Sequence, residues 1–244
     1  MSDAPLDIQA LNQELITCSA QDRIRWAVDT LGSKAVTLAS MQKTSSVIQH
    51  MMHELNLDNE IFFVDTGFHF HETLAMRDEF MRRYKLNIHT LYPHLTVSQQ
   101  EERYELKLYN YSDGQPDCCR LRKEDPFVEA MNQRSHQLVI LGLRRDEGAQ
   151  RKDLQPLAPD PRFSGYALHP LVDWDTSSVE GYLNTHGVPV HPLHNQGYPS
   201  IGCQVCTTAV LPGEDPRAGR WRHLNDSGEG PKYCGLNFSD GGGI

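Results

Sequence analysis

Apolar runs of strand length alternate with segments of helical period along most of the chain. The runs that predict strands are residues 34–40, 60–65, 87–93 and 137–143, and the segments that predict helices are residues 44–55, 71–84, 96–108 and 126–134. Strands this apolar, separated by helices, are typical of βαβ units, in which helices cover both faces of a parallel sheet. We therefore predict an α/β fold with a mostly parallel sheet and helices on both of its faces.

The two ends of the chain differ from this alternating part in composition and in hydrophobic periodicity. Residues 1–33 predict a helical region, with Ser19 as an N-cap and Gly32 as a C-terminal stop. After residue 187 the sequence is rich in Pro, Gly, His and Cys and has little periodicity. This pattern predicts a loop-rich segment, residues 188–244, laid over the edge of the α/β part, residues 34–187. The 244 residues are enough for one structural domain with a sizeable core.

Charge and apolar runs exclude several classes of protein. The formal charge of −9 argues against a protein that coats nucleic acid. The first residues lack the basic and apolar parts of a secretory signal, and no run of 18 apolar residues is present for a membrane span. We expect a cytoplasmic protein without nucleic-acid or membrane partners. In that compartment cysteines serve metals or catalysis more often than disulfides.

Two cysteine pairs indicate a shared metal centre. Cys118 and Cys119 are adjacent, and Cys203 and Cys206 have the C-x-x-C spacing that lets two thiolates reach one metal. Four thiolates suit zinc or an iron–sulfur cluster. Adjacent cysteines fit a cluster better, because neighbouring thiolates can bind different irons, but the spacing alone leaves the metal open.

Two further cysteines stand outside these pairs. Cys234 lies in the Gly-flanked stretch "GPKYCGLNF" near the end of the chain, where a thiol can enter and leave a site as a nucleophile. The alternative for Cys234 is an incidental cysteine without a role in catalysis. Cys18 lies in the N-terminal helical region and is expected to pack there.

Polar and basic loops follow three of the predicted strands, where open α/β sheets bind ligands. The first loop, residues 40–46, is a polar turn that opens a helix, and the free N–H groups of a helix start favour a phosphate. A plain helix cap is its alternative. The loop at residues 142–151 carries Arg144, Arg145 and Arg151, whose guanidinium groups suit an anion. A solvated charged loop would explain these arginines equally well.

Taken together, these motifs resemble those of the sulfonucleotide reductases, and within them the assimilatory adenylylsulfate (APS) reductases. The resemblance runs from about Lys34 to Leu236 and includes "DTG", "GLRRDEG", "HPLVDW", "HPLHNQGYPSIGCQVCT" and "PGEDPRAGRW" in the same order. It implies an adenine-nucleotide α-hydrolase-like fold, related to that of the ATP pyrophosphatases.

The resemblance also implies a cofactor and a mechanism. In relatives that carry both cysteine pairs, all four cysteines ligate a 4Fe–4S cluster and the substrate is APS, whereas relatives without them have no cluster and prefer the 3′-phosphorylated substrate. The implied ligands are Cys118, Cys119, Cys203 and Cys206. Cys234 would attack the sulfur of APS as a thiolate and release AMP, and a thioredoxin thiol would then release sulfite.

The resemblance assigns the substrate contacts as well. Lys123 would lie between the cluster and the sulfate, Arg217 and Arg220 at the sulfate and phosphate, and the loops after the first two strands around the nucleotide. The residues expected at the substrate are Ser40, Ser45, Asp65, Thr66, Gly67, Lys123, Arg144, Arg151, Arg217 and Arg220.

Some positions depart from the family pattern. Tyr233 and Asn237 flank "CGL" where the family has Glu and His, and Thr208 stands where an arginine is usual. Two alternatives therefore stay open beside an APS reductase. One is a divergent member that uses an adenylylated substrate for sulfur transfer or other chemistry. The other is a non-catalytic iron–sulfur or nucleotide-binding redox sensor. A homo-oligomer is compatible with the sequence.

Overall fold

A six-stranded sheet in the order β3-β2-β1-β4-β6-β5 lies at the centre of the computed structural model, which describes residues 6–224. Its strands are β1 (Ala35–Ala39), β2 (Ile61–Val64), β3 (Ile88–Leu91), β4 (Leu138–Ile140), β5 (Leu157–Asp160) and β6 (Gly165–Leu168). Every neighbouring pair is parallel except β5 and β6, which are antiparallel. The sheet is therefore mostly parallel, with one antiparallel strand at an edge.

The described part of the chain contains eight α-helices. They are α1 (Ile8–Leu15), α2 (Ala20–Leu31), α3 (Lys43–Glu54), α4 (His71–Tyr84), α5 (Val97–Tyr104), α6 (Gly114–Cys119), α7 (Asp125–Gln133) and α8 (Thr176–His186). A π-helical turn, Arg120–Glu124, joins α6 to α7 without a break. Such turns occur singly inside α-helices and often at functional sites.

The central strands divide their side chains between two apolar cores. In β2, Ile61 and Phe63 enter a larger core with residues of α2, α3, α4 and α8, while Phe62 and Val64 enter a smaller core with residues of α7. This alternation follows from the two-residue period of a strand. Because both faces are covered, all four β2 residues are buried, and the strand reads as a continuous apolar run.

The predicted fold class is confirmed, and most element positions agree with the sequence pattern. Two strands, β5 and β6, were not predicted, because Pro159 and Gly165 weaken the strand pattern of these four-residue segments. The predicted helix 96–108 ends at Tyr104, since Glu105 adopts a left-handed conformation with φ of 55°. The division of the chain at residues 33/34 and 187/188 stays a prediction.

The last part of the described chain crosses the carboxyl ends of the central strands. It consists of loops and short 3₁₀ turns after α8. Its backbone is bound to the loops that follow β1 and β2: Ile201 N donates to Gln42 Oε1 at 3.0 Å, and Gln204 N donates to Phe68 O at 2.7 Å. The sequence motifs near residues 200 and 65 therefore meet at one edge of the sheet. No helix among residues 6–224 has the length and apolar character needed to cross a membrane.

The N-terminal helices are fixed to the sheet by a buried arginine. The Ser19 Oγ accepts from Asp22 N at 3.1 Å, which confirms Ser19 as the N-cap of α2. Arg23 in the same helix is fully buried and pairs with Asp173 at 2.7 Å. Its guanidinium also donates to the carbonyl oxygens of Leu15 and Pro170. One side chain thus joins both N-terminal helices to the loop after β6.

Replacement of Arg23 tests the contribution of these contacts to stability. We expect Arg23→Met to lower the free energy of unfolding by about 3 kcal/mol, because buried carbonyl oxygens and the Asp173 carboxylate lose their donor. Urea unfolding measures the loss. Arg25→Met, an exposed position on the same helix, is the matched control and should stay within about 0.5 kcal/mol of the parent. Equal losses in the two variants would contradict the structural role of Arg23.

Candidate active site and cysteine cavity

The two cysteine pairs line one cavity. Cys118 and Cys119 end α6, and Cys203 and Cys206 flank the short turn Gln204–Cys206. All four cysteines are buried, none of them forms a disulfide, and they line one cavity together. Its lining residues are Phe68, Tyr109, Gln115, Cys118, Cys119, Arg122, Lys123, Cys203, Val205, Cys206 and Trp221. The structure thus brings together the four cysteines that the sequence singled out.

Burial and mutual charge repulsion make separate thiolates costly in this cavity. Burial, reinforced by the neighbouring Cys203, raises the pKa of Cys118. The same two causes raise the pKa of Cys206 to about 12. The positive charge of Lys123 opposes these effects and lowers the pKa of both thiols. Without a bound cation, Cys118 and Cys206 are therefore protonated at neutral pH.

Lys123 lies in the π-helical turn and reaches the cysteines from within the protein. It is buried, and its Nζ is 3.9 Å from Cys119 Sγ. Burial is the largest cause that lowers the pKa of His69, and the positive charge of Lys123 lowers it further. The predicted proximity of Lys123 to the four cysteines is thus present in the structure, while its contact with a sulfate stays a prediction.

Arg217 and Arg220 flank the indole of Trp221, which lines the cavity. The guanidinium carbon of Arg220 is 4.5 Å from the ring centroid, and that of Arg217 is 5.9 Å away. An isolated antiparallel bridge between Thr207 and Arg220 brings this segment to the C-x-x-C stretch. The buried Arg220 also donates to Ser200 Oγ at 3.2 Å. Both predicted arginines therefore lie beside the cavity.

The loop after β2 forms the contact between the sheet and the cysteines. Gly67 N donates to Asp65 Oδ1 at 2.9 Å, which closes a tight turn. The buried Thr66 Oγ1 lies 3.4 Å from Cys203 Sγ. Gly67 has a φ of 72°, and a Cβ there would come within 2.9 Å of Arg122 Nη2. Both the backbone angle and this close approach favour glycine at this position.

Arg122 is a site residue that the sequence analysis did not assign. This buried side chain donates through Nε to Thr66 O and through Nη1 to Gln100 Oε1 at 3.0 Å. Its guanidinium carbon is 5.1 Å from the ring centroid of Phe68, so it stacks on that ring. One signal was present in the sequence, a run of basic residues directly after the cysteine pair. Nothing in that run indicates that Arg122 turns inward to the β2 loop.

The first predicted nucleotide loop, residues 40–46, packs against the end of β4. Ser45 is buried, and its Oγ accepts from Ser40 N at 3.0 Å. Thr44 leaves no room for a side chain at position 142, since a Cβ on Gly142 would lie 2.8 Å from Thr44 Oγ1. The loops after β1 and β4 are therefore in direct contact at the carboxyl edge of the sheet.

Arg144 and Arg151 are buried and share one carboxylate. Glu147 forms an ion pair with Arg151 and faces Arg144 Nε at 3.6 Å. Arg144 also donates to Trp174 O at 3.1 Å. Arg151 lines a second cavity near α1 and does not line the cysteine cavity. The structure therefore places Arg144 in the loop after β4, whereas Arg151 is not part of the lining of the cysteine cavity. Cys234, Tyr233 and Asn237 lie outside the described residues.

Comparisons with known proteins agree with this architecture. The family model of the phosphoadenosine phosphosulfate reductase domain matches residues 34–209. An adenosine 5′-phosphosulfate reductase of Halalkalibacterium halodurans is 36% identical, over 95% of this chain and 97% of its own. The enzyme of the same name from Mycolicibacterium smegmatis is 33% identical, over 93% and 91% of the two chains. The one from Streptomyces coelicolor is 35% identical, over 92% and 91%.

Solved structures share the fold. A phosphoadenylyl-sulfate reductase from Candida auris superposes with a TM-score of 0.74 at 24% identity, covering 86% of this chain and 99% of that one. An FMN adenylyltransferase from Candida glabrata reaches 0.60 at 15% identity, covering 98% and 80%. The fold and the loops at its carboxyl edge define an α/β protein of the adenine-nucleotide α-hydrolase-like class. Within it, the chain belongs to the phosphoadenosine phosphosulfate reductase family, and it is an oxidoreductase that acts on a sulfur group.

Alanine at Gly67 tests the contact between the β2 loop and Arg122. Gly187 is a matched control, because its φ of 57° is also left-handed but nothing lies within 4 Å of the position that an added methyl group would take. We expect Gly187→Ala to lower the free energy of unfolding by about 1 kcal/mol through backbone strain alone. Gly67→Ala should lose clearly more, since Arg122 must also move. Urea unfolding compares the two, and equal losses would show that Arg122 does not constrain this position.

Proposed function

We propose that this protein reduces adenylyl sulfate to sulfite and AMP in assimilatory sulfate reduction. Family membership and the adenosine 5′-phosphosulfate reductases at 33–36% identity support the reaction class. The observation that carries the proposal is the contact of Thr66 with Cys203, at 3.4 Å. It joins the loop expected to hold the nucleotide to the cysteines expected at the sulfate. A substrate that spans these two places has an adenylyl group at one end and a sulfate at the other.

The four cysteines are proposed to hold a 4Fe–4S cluster. The residues fit such a group, because Cys118, Cys119, Cys203 and Cys206 form no disulfide and line one cavity that is also lined by Lys123. Among residues 6–224 no three His, Cys, Asp or Glu side chains are grouped so as to hold a single metal ion. The preference for a core with several irons over a single tetrahedral zinc comes from the adjacent cysteines, Cys118 and Cys119, whose neighbouring thiolates can bind different irons. A bound cluster would supply local charge, and its ligands would come from the end of α6 and from the turn Gln204–Cys206 with the preceding Cys203.

The substrate's anionic end is proposed to lie at the mouth of this cavity. Lys123, Arg217 and Arg220 supply positive charge there, and cations beside a transferring sulfuryl group stabilise charge that develops on its oxygens. The nucleotide is assigned to the loops that contain Ser40, Ser45, Asp65, Thr66 and Gly67, with Arg144 and Arg151 serving its phosphate. The internal pairing with Glu147 means that Arg151 must exchange partners to do so.

Cys234 is proposed as the nucleophile. Its thiolate attacks the sulfur of adenylyl sulfate, a sulfur–sulfur bond forms, and the bond from that sulfur to the bridging oxygen breaks as AMP leaves. A thiolate of thioredoxin then attacks Cys234 Sγ and expels sulfite. The second thioredoxin thiol resolves the mixed disulfide, so that the two electrons come from the oxidation of thioredoxin to its disulfide. A reducing compartment such as the cytoplasm supports both this reductant and the free thiols.

Serine at Cys234 tests the nucleophile. We expect Cys234→Ser to lower sulfite formation from adenylyl sulfate and thioredoxin by at least about 10³-fold, because the attacking atom is lost. Mass spectrometry of the parent, incubated with substrate and no reductant, should show one sulfonate on Cys234 and an equivalent of AMP. Cys18→Ser, outside the cavity, is the matched control and should keep full activity.

The outcomes separate the alternatives. Full sulfite production by Cys234→Ser would remove the proposed nucleophile. Binding of adenylyl sulfate without sulfite formation would favour a divergent enzyme or a nucleotide-binding sensor. A preference for the 3′-phosphorylated substrate would contradict the substrate assignment, which rests on the presence of both cysteine pairs.

Metal analysis tests the cluster. Protein prepared without oxygen should contain about four irons and four labile sulfides per chain. Serine at Cys118, Cys119, Cys203 or Cys206 should remove most of this iron, since each thiolate is a ligand, whereas Cys18→Ser should retain it. Colourless protein that contains zinc and no iron would refute the cluster.

A further inference from the structure

Two buried glutamines face the adjacent cysteines. Gln100 of α5 is 2% exposed, and its Nε2 lies 3.8 Å from Cys118 Sγ. Gln115 of α6 is 3% exposed, and its Nε2 lies 2.8 Å from Cys119 Sγ. Glutamine is mostly an exposed residue, so two buried amides beside two buried sulfurs require an explanation.

Arg122 fixes the orientation of the Gln100 amide. The two ends of a glutamine amide are distinguished by their hydrogen-bond partners. A guanidinium only donates, so the Nη1 of Arg122, at 3.0 Å, must face the carbonyl oxygen Oε1 of Gln100. The amide nitrogen therefore points to Cys118. The sulfur at the end of this chain of donors is therefore an acceptor, a role that a neutral thiol fills weakly and a metal-bound thiolate fills well.

Gln115 reaches its cysteine along one helix. It lies four residues before Cys119, the spacing at which side chains on a helix become neighbours. Lys123, four residues after Cys119, approaches the same sulfur at 3.9 Å. Cys119 thus has an amide on one side and an ammonium on the other, and both groups are donors.

We propose that Gln100 and Gln115 are positioning residues that each donate one N–H hydrogen bond to a thiolate of the adjacent pair Cys118 and Cys119. This inference rests on the proposed cluster. Two neighbouring thiolates repel each other in a buried site, and a donor to each sulfur offsets part of that charge. Hydrogen bonds to ligand sulfurs also tune the reduction potential of an iron–sulfur group. They stabilise the more negative, reduced form most, so they raise the potential.

Methionine at each glutamine tests the proposal, because it keeps an unbranched side chain of similar length and removes the amide. The matched control is Gln133→Met, at an exposed glutamine at the end of α7. Each cluster-loaded variant is compared with the parent for iron release to a chelator without oxygen and for midpoint potential. We expect Gln100→Met and Gln115→Met to release iron about tenfold faster or more and to have lower potentials. Gln133→Met should match the parent in both.

A second variant separates the hydrogen bond from packing. Gln100→Glu keeps the acceptor that Arg122 needs and replaces only the donating NH₂ with oxygen. We expect it to lower the potential more than Gln100→Met, because it adds a negative charge near Cys118. A parent-like potential in Gln100→Glu would overturn the role of Gln100, even if Gln100→Met failed to fold. Faster iron release in Gln115→Met at an unchanged potential would reduce Gln115 to a packing role and overturn its part of the proposal.

The same measurements distinguish this inference from the proposal on which it rests. A parent chain that binds no iron would overturn the cluster and, with it, the role of the glutamines. An iron-loaded parent whose Gln100 and Gln115 variants match it in both measurements would overturn the role of the glutamines alone.

Discussion

The guanidinium of Arg122 holds together the parts of the molecule on which the site depends. It donates to Thr66 O in the loop after β2, to Leu95 O before α5, and to Gln100 Oε1 within α5. Burial lowers the pKa of Arg122, and the nearby Cys118 and Cys203 act against this effect. The buried guanidinium of Arg122 and the thiolate form of Cys118 therefore stabilise each other. The loop proposed to hold the nucleotide and the cysteine cavity adjoin each other because this side chain contacts the loop and lines the cavity.

The architecture of the sheet explains why distant motifs converge. Parallel strands present all their carboxyl ends at one edge, so the loops after β1, β2 and β4 meet there. The segment after α8 then crosses that edge and brings the C-x-x-C stretch to Thr66. Cys118 and Cys119 arrive from another direction, at the end of α6. The four sulfurs are thus supplied by two segments that both contact the loop after β2, one through Cys203 and the other through Arg122.

The sequence predicted the strands and helices that have a clear local periodicity. It did not predict the strands and side-chain positions that depend on tertiary contacts. The apolar runs at β1, β2 and β4 identified the core of the sheet, and the Ser19 cap identified the start of α2. The short strands β5 and β6 carry no such signal, since pairing with each other and with β4 defines them. Spacing of the cysteines indicated a shared site. The inward turn of Arg122 and the placement of Gln100 depend on which helices pack together, and no local pattern encodes that.

The π-helical turn Arg120–Glu124 changes the direction in which side chains point between α6 and α7. Upstream of it, the cysteine pair faces the cavity, and downstream of it Phe127 and Met131 face the sheet. Each residue of an α-helix advances the direction of a side chain by about 100°. A chain shortened by one residue here would have to give up either the cavity or the sheet contact. The length of this turn is therefore constrained even where its residues face solvent, because an insertion or a deletion would rotate one helix relative to the other. The site depends on this length as much as on any side chain in the turn.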